Sequence, residues 1–217
     1  MVDLLLVVPH PDDEVFGAGG TLIEYRRRGL FTGLITLTRG DKGRDLGLAT
    51  EKPLPELREE ELRKAAEILQ IGHLEIHQYP DQGVGQHPEI VDMLADRFNN
   101  LKPRAIITFP PNGVNRHVDH VATHYWVKRA LEKSGHPTRL FYYSAPNPPA
   151  EFRDGWLPPT HRRDLALDVF GQKIKAMAQH RTQALTVLRF MERFAGRLWS
   201  ETFHLEGHEG PVQSELL

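Results

Sequence analysis

The chain has 217 residues, 40% of them hydrophobic and 26% charged, with a formal net charge of -2 at pH 7. Such values describe an ordinary globular protein and give no reason to expect nucleic acid or an anionic membrane as partner. There is no cysteine, which excludes disulfides and thiolate metal sites, and no apolar run approaches the length of a membrane span. The start, Met1-Val2-Asp3, lacks the basic region of a signal peptide, so a cytoplasmic protein is expected.

Strand and helix patterns alternate along the chain. The apolar run Asp3–Val8 reads as a first strand and leads into Pro9-His10-Pro11-Asp12-Asp13-Glu14. A glycine-rich turn, Gly17-Ala18-Gly19-Gly20, opens a helix that ends near Gly29, and Thr32–Thr38 is the second strand. That turn is not a dinucleotide fingerprint, because the third glycine of G-x-G-x-x-G would fall on Leu22. A polar loop from Arg39 stays irregular to about Pro55. Glu56–Leu69 then carries apolar residues at 57, 62, 65, 66, 68 and 69 among charges, the spacing of an amphipathic helix. His73–Gln78 is a third strand, Pro88–Leu101 a helix, and Arg104–Phe109 a fourth strand. A helix over 118–133 and a strand at Arg139–Tyr143 follow.

Strands separated by such helices predict parallel βαβ units with right-handed crossovers, hence an α/β, Rossmann-like three-layer fold. The expected sheet is mostly parallel with strand order 3-2-1-4-5, and 1–217 is expected to form a single domain. Beyond a proline-rich connection at 145–159, Asp164–Val169 alternates like a strand. Lys173–His180 and Gln183–Ala195 read as helices and Trp199–Leu205 as a late strand; the tail from Gly210 to Leu217 is expected to fray.

In that strand order, strands 1 and 4 are neighbours where the winding reverses, and ligands of open parallel sheets bind beyond the carboxyl ends of strands at such a point. His10-Pro11-Asp12-Asp13-Glu14 follows strand 1, and His117-Val118-Asp119-His120 lies shortly after strand 4. A lone His-x-x-Asp is ordinarily a turn or a helix cap, and His-x-Asp-His can also be a capping arrangement. Their joint placement points instead to a metal site in which His10, Asp13 and His120 are the ligands. Two imidazoles and one carboxylate with open positions are the hydrolytic zinc pattern, and two imidazoles disfavour magnesium. Asp12 would lie beside the metal without binding it, a natural place for the base that deprotonates water. Two histidines and a carboxylate also describe a ferrous oxygenase site, and the same crevice could serve a non-catalytic sugar- or nucleotide-binding module. The oxygenase reading fits poorly with strand–helix alternation, and a sensor needs no base.

At these residues the sequence resembles the zinc-dependent deacetylases of the LmbE-like/PIG-L superfamily, which remove acetyl groups from N-acetylglucosamine derivatives. The resemblance rests on Pro9–Glu14 with Gly17–Thr21, on His117–His120, and on Thr38-Arg39-Gly40-Asp41, where Asp replaces the family's Glu. It extends to Arg58-Glu59-Glu60-Glu61, Pro80-Asp81-Gln82-Gly83 and His180-Arg181-Thr182-Gln183, and so runs from residue 3 to about 206. It implies one zinc per chain on His10, Asp13 and His120, with Asp12 as general base. By the same resemblance His117 stabilises or protonates the tetrahedral intermediate, as a cation paired with Asp119, and Asp119 holds the tautomer of an imidazole. Arg58 is implied to position substrate, Asp81 to accept a sugar hydroxyl, and Arg44 to bind substrate although offset by one from the family's arginine. A small N-acetylated amino sugar such as N-acetylglucosaminyl-malate is the implied substrate, and a homo-oligomer the implied assembly. Without cysteine or a G-x-S-x-G elbow, nucleophilic catalysis loses its usual candidates.

Overall fold

In the computed structural model, which describes residues 1–217, β1 (Leu4–Val8) is buried at every position. That is the behaviour of a central parallel strand covered on both faces. Its side chains alternate between two cores. Leu4, Leu6 and Val8 join one apolar cluster, whereas Leu5 and Val7 join the other. β2 (Thr32–Thr38) pairs parallel with one edge of β1 and with β3 (His73–Tyr79) beyond. β4 (Ala105–Thr108) pairs parallel with the other edge of β1, followed by β5 (Arg139–Tyr143). The sheet has seven strands in the order 3-2-1-4-5-7-6, so the expected 3-2-1-4-5 core is present and is extended at one edge.

Two short helices, α1 (Asp13–Gly17) and α2 (Gly19–Arg27), follow β1, and α3 (Leu54–Leu69) follows the long loop after β2. Leu22 and Ile23 of α2 and Leu62, Ala65 and Leu69 of α3 fill the core on one face of the sheet. α4 (Ile90–Leu101) and α5 (Val118–Ser134) cover the other with Leu94, Phe98, Val127 and Ala130. Arg58 and Glu61 lie on the same buried stripe of α3, N-terminal to Ala65, which carries them towards the loops at the carboxyl end of the sheet. No helix is long and apolar enough to cross a membrane.

The C-terminal third departs from two expectations. The strand there is β6 (His161–Asp164), antiparallel to β7 (Ser200–Leu205), and a helix, α6 (Leu167–Met177), begins where strand alternation was expected to run through residue 169. Leu165 and Val169 are buried and Leu167 is 73% exposed. Residues four apart share a face in a helix as well as in a strand, so the alternation did not discriminate. The tail does not fray. Gln213 pairs with Thr160 and Arg162 through the backbone, and Leu216 is fully buried, its amide donating to the Tyr25 hydroxyl at 2.7 Å. The remaining segments are two helices, α7 (Ala184–Arg193) and α8 (Gly196–Trp199), packed beside the crevice.

Candidate active site

The carboxyl ends of β1 and β4 open on a cavity of about 480 Å³, lined by His10, Asp12, Asp13, Asp81, His117 and His120 among others. His10 and Asp13 bracket the turn between β1 and α1, and the Asp13 carboxylate folds back to accept from the His10 amide at 3.0 Å. His120 stands in the first turn of α5, brought over by the β1–β4 pairing.

Each imidazole has one nitrogen committed and one free. His120 Nδ1 donates to the Gly113 carbonyl at 3.0 Å, and the ring stacks on Phe109 with centroids 3.8 Å apart. His10 Nε2 donates to Asp119 Oδ2 at 3.0 Å, with Asp81 Oδ1 at 3.3 Å. The two remaining nitrogens flank Asp13: His10 Nδ1 is 3.4 Å from Oδ2, and His120 Nε2 is 3.4 Å from Oδ1. Donor atoms around a tetrahedral zinc, at ~2.0–2.1 Å from the metal, stand roughly 3.3–3.4 Å from one another. Each separation is thus of the size found between two donors of one zinc ion, with Asp13 turning a different oxygen to each ring. The nitrogens of His10, His117 and His120 come close together, as do ligand atoms of His10, Asp81 and Asp119. The Asp81 and Asp119 carboxylates, however, already accept from the backbone amides of Lys42, Gln82 and Val84 and face the nitrogen of His10 that carries the proton. That grouping orients His10 rather than offering a second set of ligands.

The electrostatics also call for a cation. Burial works against ionised Asp13, but the neighbouring His120 and His10 outweigh it and hold the carboxyl well below its ordinary range. Burial likewise disfavours protonated His10, and Asp119, Asp13 and Asp81 together push its pKa well up. A bound metal would take over the charge that protons otherwise supply.

Asp12 is buried at the floor of the cavity with an unusual backbone, φ 114°. Such a conformation costs roughly 1–3 kcal/mol in a non-glycine residue and persists only where its surroundings impose it. Here the imposing groups are identifiable. The Asp12 amide donates to Glu14 Oε2 at 2.9 Å, and Glu14 Oε1 is bonded to buried His180 at 2.6 Å. From α3, Arg58 donates to the carbonyls of Pro11 and Gly40 and sets Nη2 3.5 Å from Asp12 Oδ2. Gly40, at φ +64°, is needed for this, because a Cβ there would run into the Arg58 guanidinium. Burial raises the Asp12 pKa to about 6, with Arg58 as the main opposing influence.

Several sequence expectations are altered by this geometry. The imidazole held by Asp119 is His10, 109 residues away, and not His117. His117 caps α5, its Nδ1 accepting from the Asp119 amide at 3.2 Å, and half-burial followed by the charges of His10 and His120 lowers its pKa. The expected pairing of a cationic His117 with the Asp119 carboxylate is thus absent, and its surroundings disfavour the charged ring. Arg58 is engaged with Asp12 and two carbonyls, and Asp81 with His10 and the Lys42 amide. The Arg44 side chain is absent from the cavity lining, and only its carbonyl is used, by Gln183. Conversely, Arg189, Arg193 and Arg197 line the cavity with Phe190 and Phe194, and sequence reasoning assigned none of them to the site. Arg189 and Arg193, four apart, share a face of α7, but Arg197 lies beyond its end, and no spacing in the sequence ties the three to the site.

Comparison with known proteins agrees with this architecture. Residues 5–131 match the family described as PIG-L: GlcNAc-PI de-N-acetylase. The chain is 30% identical over 198 residues to a protein of Bacillus anthracis named probable N-acetyl-alpha-D-glucosaminyl L-malate deacetylase 2, covering 88% of this chain and 85% of that one. It is also 30% identical over 168 residues to a 1D-myo-inositol 2-acetamido-2-deoxy-alpha-D-glucopyranoside deacetylase of Nocardia farcinica, covering 65% of this chain and 56% of that one. Among solved structures, a conserved protein of Thermus thermophilus superposes with a TM-score of 0.72 at 28% identity, over 95% of both chains. With the match spanning more than half of its length, the chain belongs to the PIG-L, GlcNAc-PI de-N-acetylase, family.

Proposed function

We propose that this protein is a zinc-dependent hydrolase that removes the acetyl group from an N-acetylglucosamine derivative such as N-acetylglucosaminyl-malate. The observation that carries the reading is Asp13 flanked at 3.4 Å by the free nitrogens of His10 and His120, with a second carboxylate, Asp12, beside them. The two curated relatives, whose names both describe deacetylation of a glucosamine derivative, support the substrate class.

His10, Asp13 and His120 would hold one zinc per chain. A zinc ion there would supply Lewis acidity, bringing the ionisation of water to about pH 7 and polarising an amide carbonyl. Asp12, raised in pKa and presented by its strained turn, takes the proton from the attacking water. His117, neutral with its proton on Nε2, donates to the oxyanion as the carbonyl carbon becomes tetrahedral. The proton held on Asp12 then passes to the departing nitrogen, releasing the free amine and acetate. Asp119 keeps the His10 proton on Nε2, so that Nδ1 stays available. A ferrous oxygenase with the same ligands would give no role to a carboxylate of raised pKa beside them. Family membership also favours hydrolysis.

The test is release of free amine from a panel of N-acetylglucosamine derivatives by the zinc-loaded protein, with the His120→Ala variant as control. Zinc stoichiometry near one, amine release, and loss of both in the variant are expected. Full zinc occupancy in His120→Ala would remove the ligand assignment, and a zinc-replete wild type inert on every sugar would remove the activity.

A further inference from the structure

His10, Pro11, Asp12 and Asp13 form a β-turn, closed by the Asp13 amide donating to the His10 carbonyl at 3.3 Å. Asp12 is its third residue, at φ 114° and ψ -24°, the left-handed conformation that a type II turn requires and that glycine or asparagine ordinarily supplies. Proline in second place also suits a type I turn, which would leave Asp12 at negative φ. The two turns differ by reversal of the central peptide, so whatever holds the Pro11–Asp12 peptide chooses between them. Both of its polar ends are held. Arg58 donates to the Pro11 carbonyl, and the Asp12 amide donates to Glu14 Oε2 at 2.9 Å. With the peptide reversed, the carbonyl would leave Arg58 and face the Glu14 carboxylate.

Glu14 is itself fixed from behind. Its Oε1 accepts from His180 Nε2 at 2.6 Å, and both side chains are fully buried and absent from the cavity lining. No group in the protein bonds His180 Nδ1. An unpaired buried nitrogen costs about 1–3 kcal/mol, so an imidazole is a poor way to fill this space, and what it gains there is the bond from Nε2. A buried His–Glu pair is more commonly a packing feature. This one differs because the far oxygen of its carboxylate ends on the amide of Asp12. The segment carrying His180 is anchored to α3, where Glu61 accepts from the Thr182 amide at 2.9 Å and the Thr182 hydroxyl at 2.7 Å. Arg58 stands one turn before Glu61, so a single helix holds both sides of the Pro11–Asp12 peptide.

We propose that His180 is a positioning residue of the reaction, acting through Glu14 to keep the Pro11–Asp12 peptide in the orientation that sets the Asp12 carboxylate for its task. This rests on the hydrolase reading, in which Asp12 is the base. His180 touches neither substrate nor reacting atoms. Its loss lets the turn relax towards negative φ at Asp12, and Arg58, deprived of the Pro11 carbonyl, no longer keeps Nη2 3.5 Å from Asp12 Oδ2.

Three substitutions separate this role from packing. His180→Gln keeps an N–H donor near the place of Nε2, His180→Asn is too short to reach Glu14, and His180→Leu fills the space without a donor. With the zinc-loaded full chain and N-acetylglucosaminyl-malate as substrate, His180→Asn and His180→Leu should lower kcat about 10- to 100-fold, the scale of a reacting group misplaced by about 1 Å. KM and zinc content should stay at wild-type values, and His180→Gln should recover most of kcat. A second readout needs no turnover. In the zinc-loaded, isotope-labelled protein the Asp12 amide proton, bonded to a carboxylate, should resonate far downfield, move upfield in His180→Asn and His180→Leu, and return in His180→Gln. The Asn and Gln variants differ by one methylene, so their comparison stands even if His180→Leu does not fold. Wild-type kcat in His180→Asn would overturn the proposal, as would equal losses in His180→Asn and His180→Gln, which would mean that only the ring's packing matters. If the wild type deacetylates nothing, the hydrolase reading fails, and an Asp12 amide unmoved in His180→Asn would still refute the hold of His180 on the turn.

Discussion

Asp119→Asn probes the contact on which the metal site depends most indirectly. The Asp119 side chain is fully buried and answers three donors: Gln82 N at 2.6 Å and His10 Nε2 at 3.0 Å on Oδ2, and Val84 N at 3.1 Å on Oδ1. Asparagine retains one acceptor oxygen and puts an NH2 donor in place of the other. With its oxygen towards Gln82 and His10, the NH2 faces the Val84 amide; rotated, it faces the other two. In either orientation at least one buried N–H loses its acceptor, at about 1–3 kcal/mol, and the bond to His10 loses its charge assistance. The metal-free variant is therefore expected to be about 2–4 kcal/mol less stable, a fall in Tm of roughly 4–16 °C at ~2–4 °C per kcal/mol for a chain of this length. Loss of the carboxylate that orients a metal-binding imidazole should also weaken zinc binding about 10- to 100-fold. Competition with a chromophoric zinc chelator measures the second effect and thermal melts of the chelator-treated protein the first. If zinc affinity stayed within about twofold of the wild type while turnover fell, Asp119 would be acting on the chemistry and not on His10, and its role as the group that orients that imidazole would be wrong.

Asp12→Asn should keep its zinc and lose about 10²- to 10⁴-fold in kcat, the usual contribution of a positioned base; a zinc-free but folded variant would make Asp12 a ligand instead. Gly40→Ala should displace Arg58, since its Cβ would meet the guanidinium at a backbone φ of +64°, and so lower activity while zinc content stays unchanged. Normal activity in that variant would show that Arg58 does not position Asp12. Lys173→Met tests a buried pair that takes no part in the chemistry. Lys173 and Glu201 are a fully buried pair at 2.8 Å, and removing one partner of such a pair costs about 3–5 kcal/mol, read from urea unfolding. A loss under about 1 kcal/mol would mean that the Gly20 and Thr21 amides and the Thr21 hydroxyl, which also donate to Glu201, suffice to satisfy it.

The parallel half of the sheet was legible because its strands carry the information locally: Leu4–Val8 and Ala105–Thr108 are apolar runs between helices, and right-handed crossovers leave few orders for them. The same rule put His10, Asp13 and His120 together before any contact was known. Antiparallel additions obey no such rule, and β7 enters between β5 and β6 by pairings that only the folded chain specifies. The partner of Asp119, though not its role, was misassigned for a related reason. Two residues apart at a helix start, His117 and Asp119 do not face each other, so sequence proximity counted against their pairing and in favour of a distant partner. The arginines of α7 and α8 were hidden more completely. A run of basic residues on an amphipathic helix ordinarily means a solvated face, and nothing at 184–199 states that this face turns towards the β1–β4 crevice. What places it there is packing further back: Lys173 of α6 reaches the carbonyls of Phe16 and Arg197 at 3.3 Å each, and so ties the start of α8 to the end of α1, one turn from Asp13. The wall of the cavity is thus fixed by a buried ammonium that takes no part in the chemistry, which is why neither motif spacing nor periodicity could have placed it.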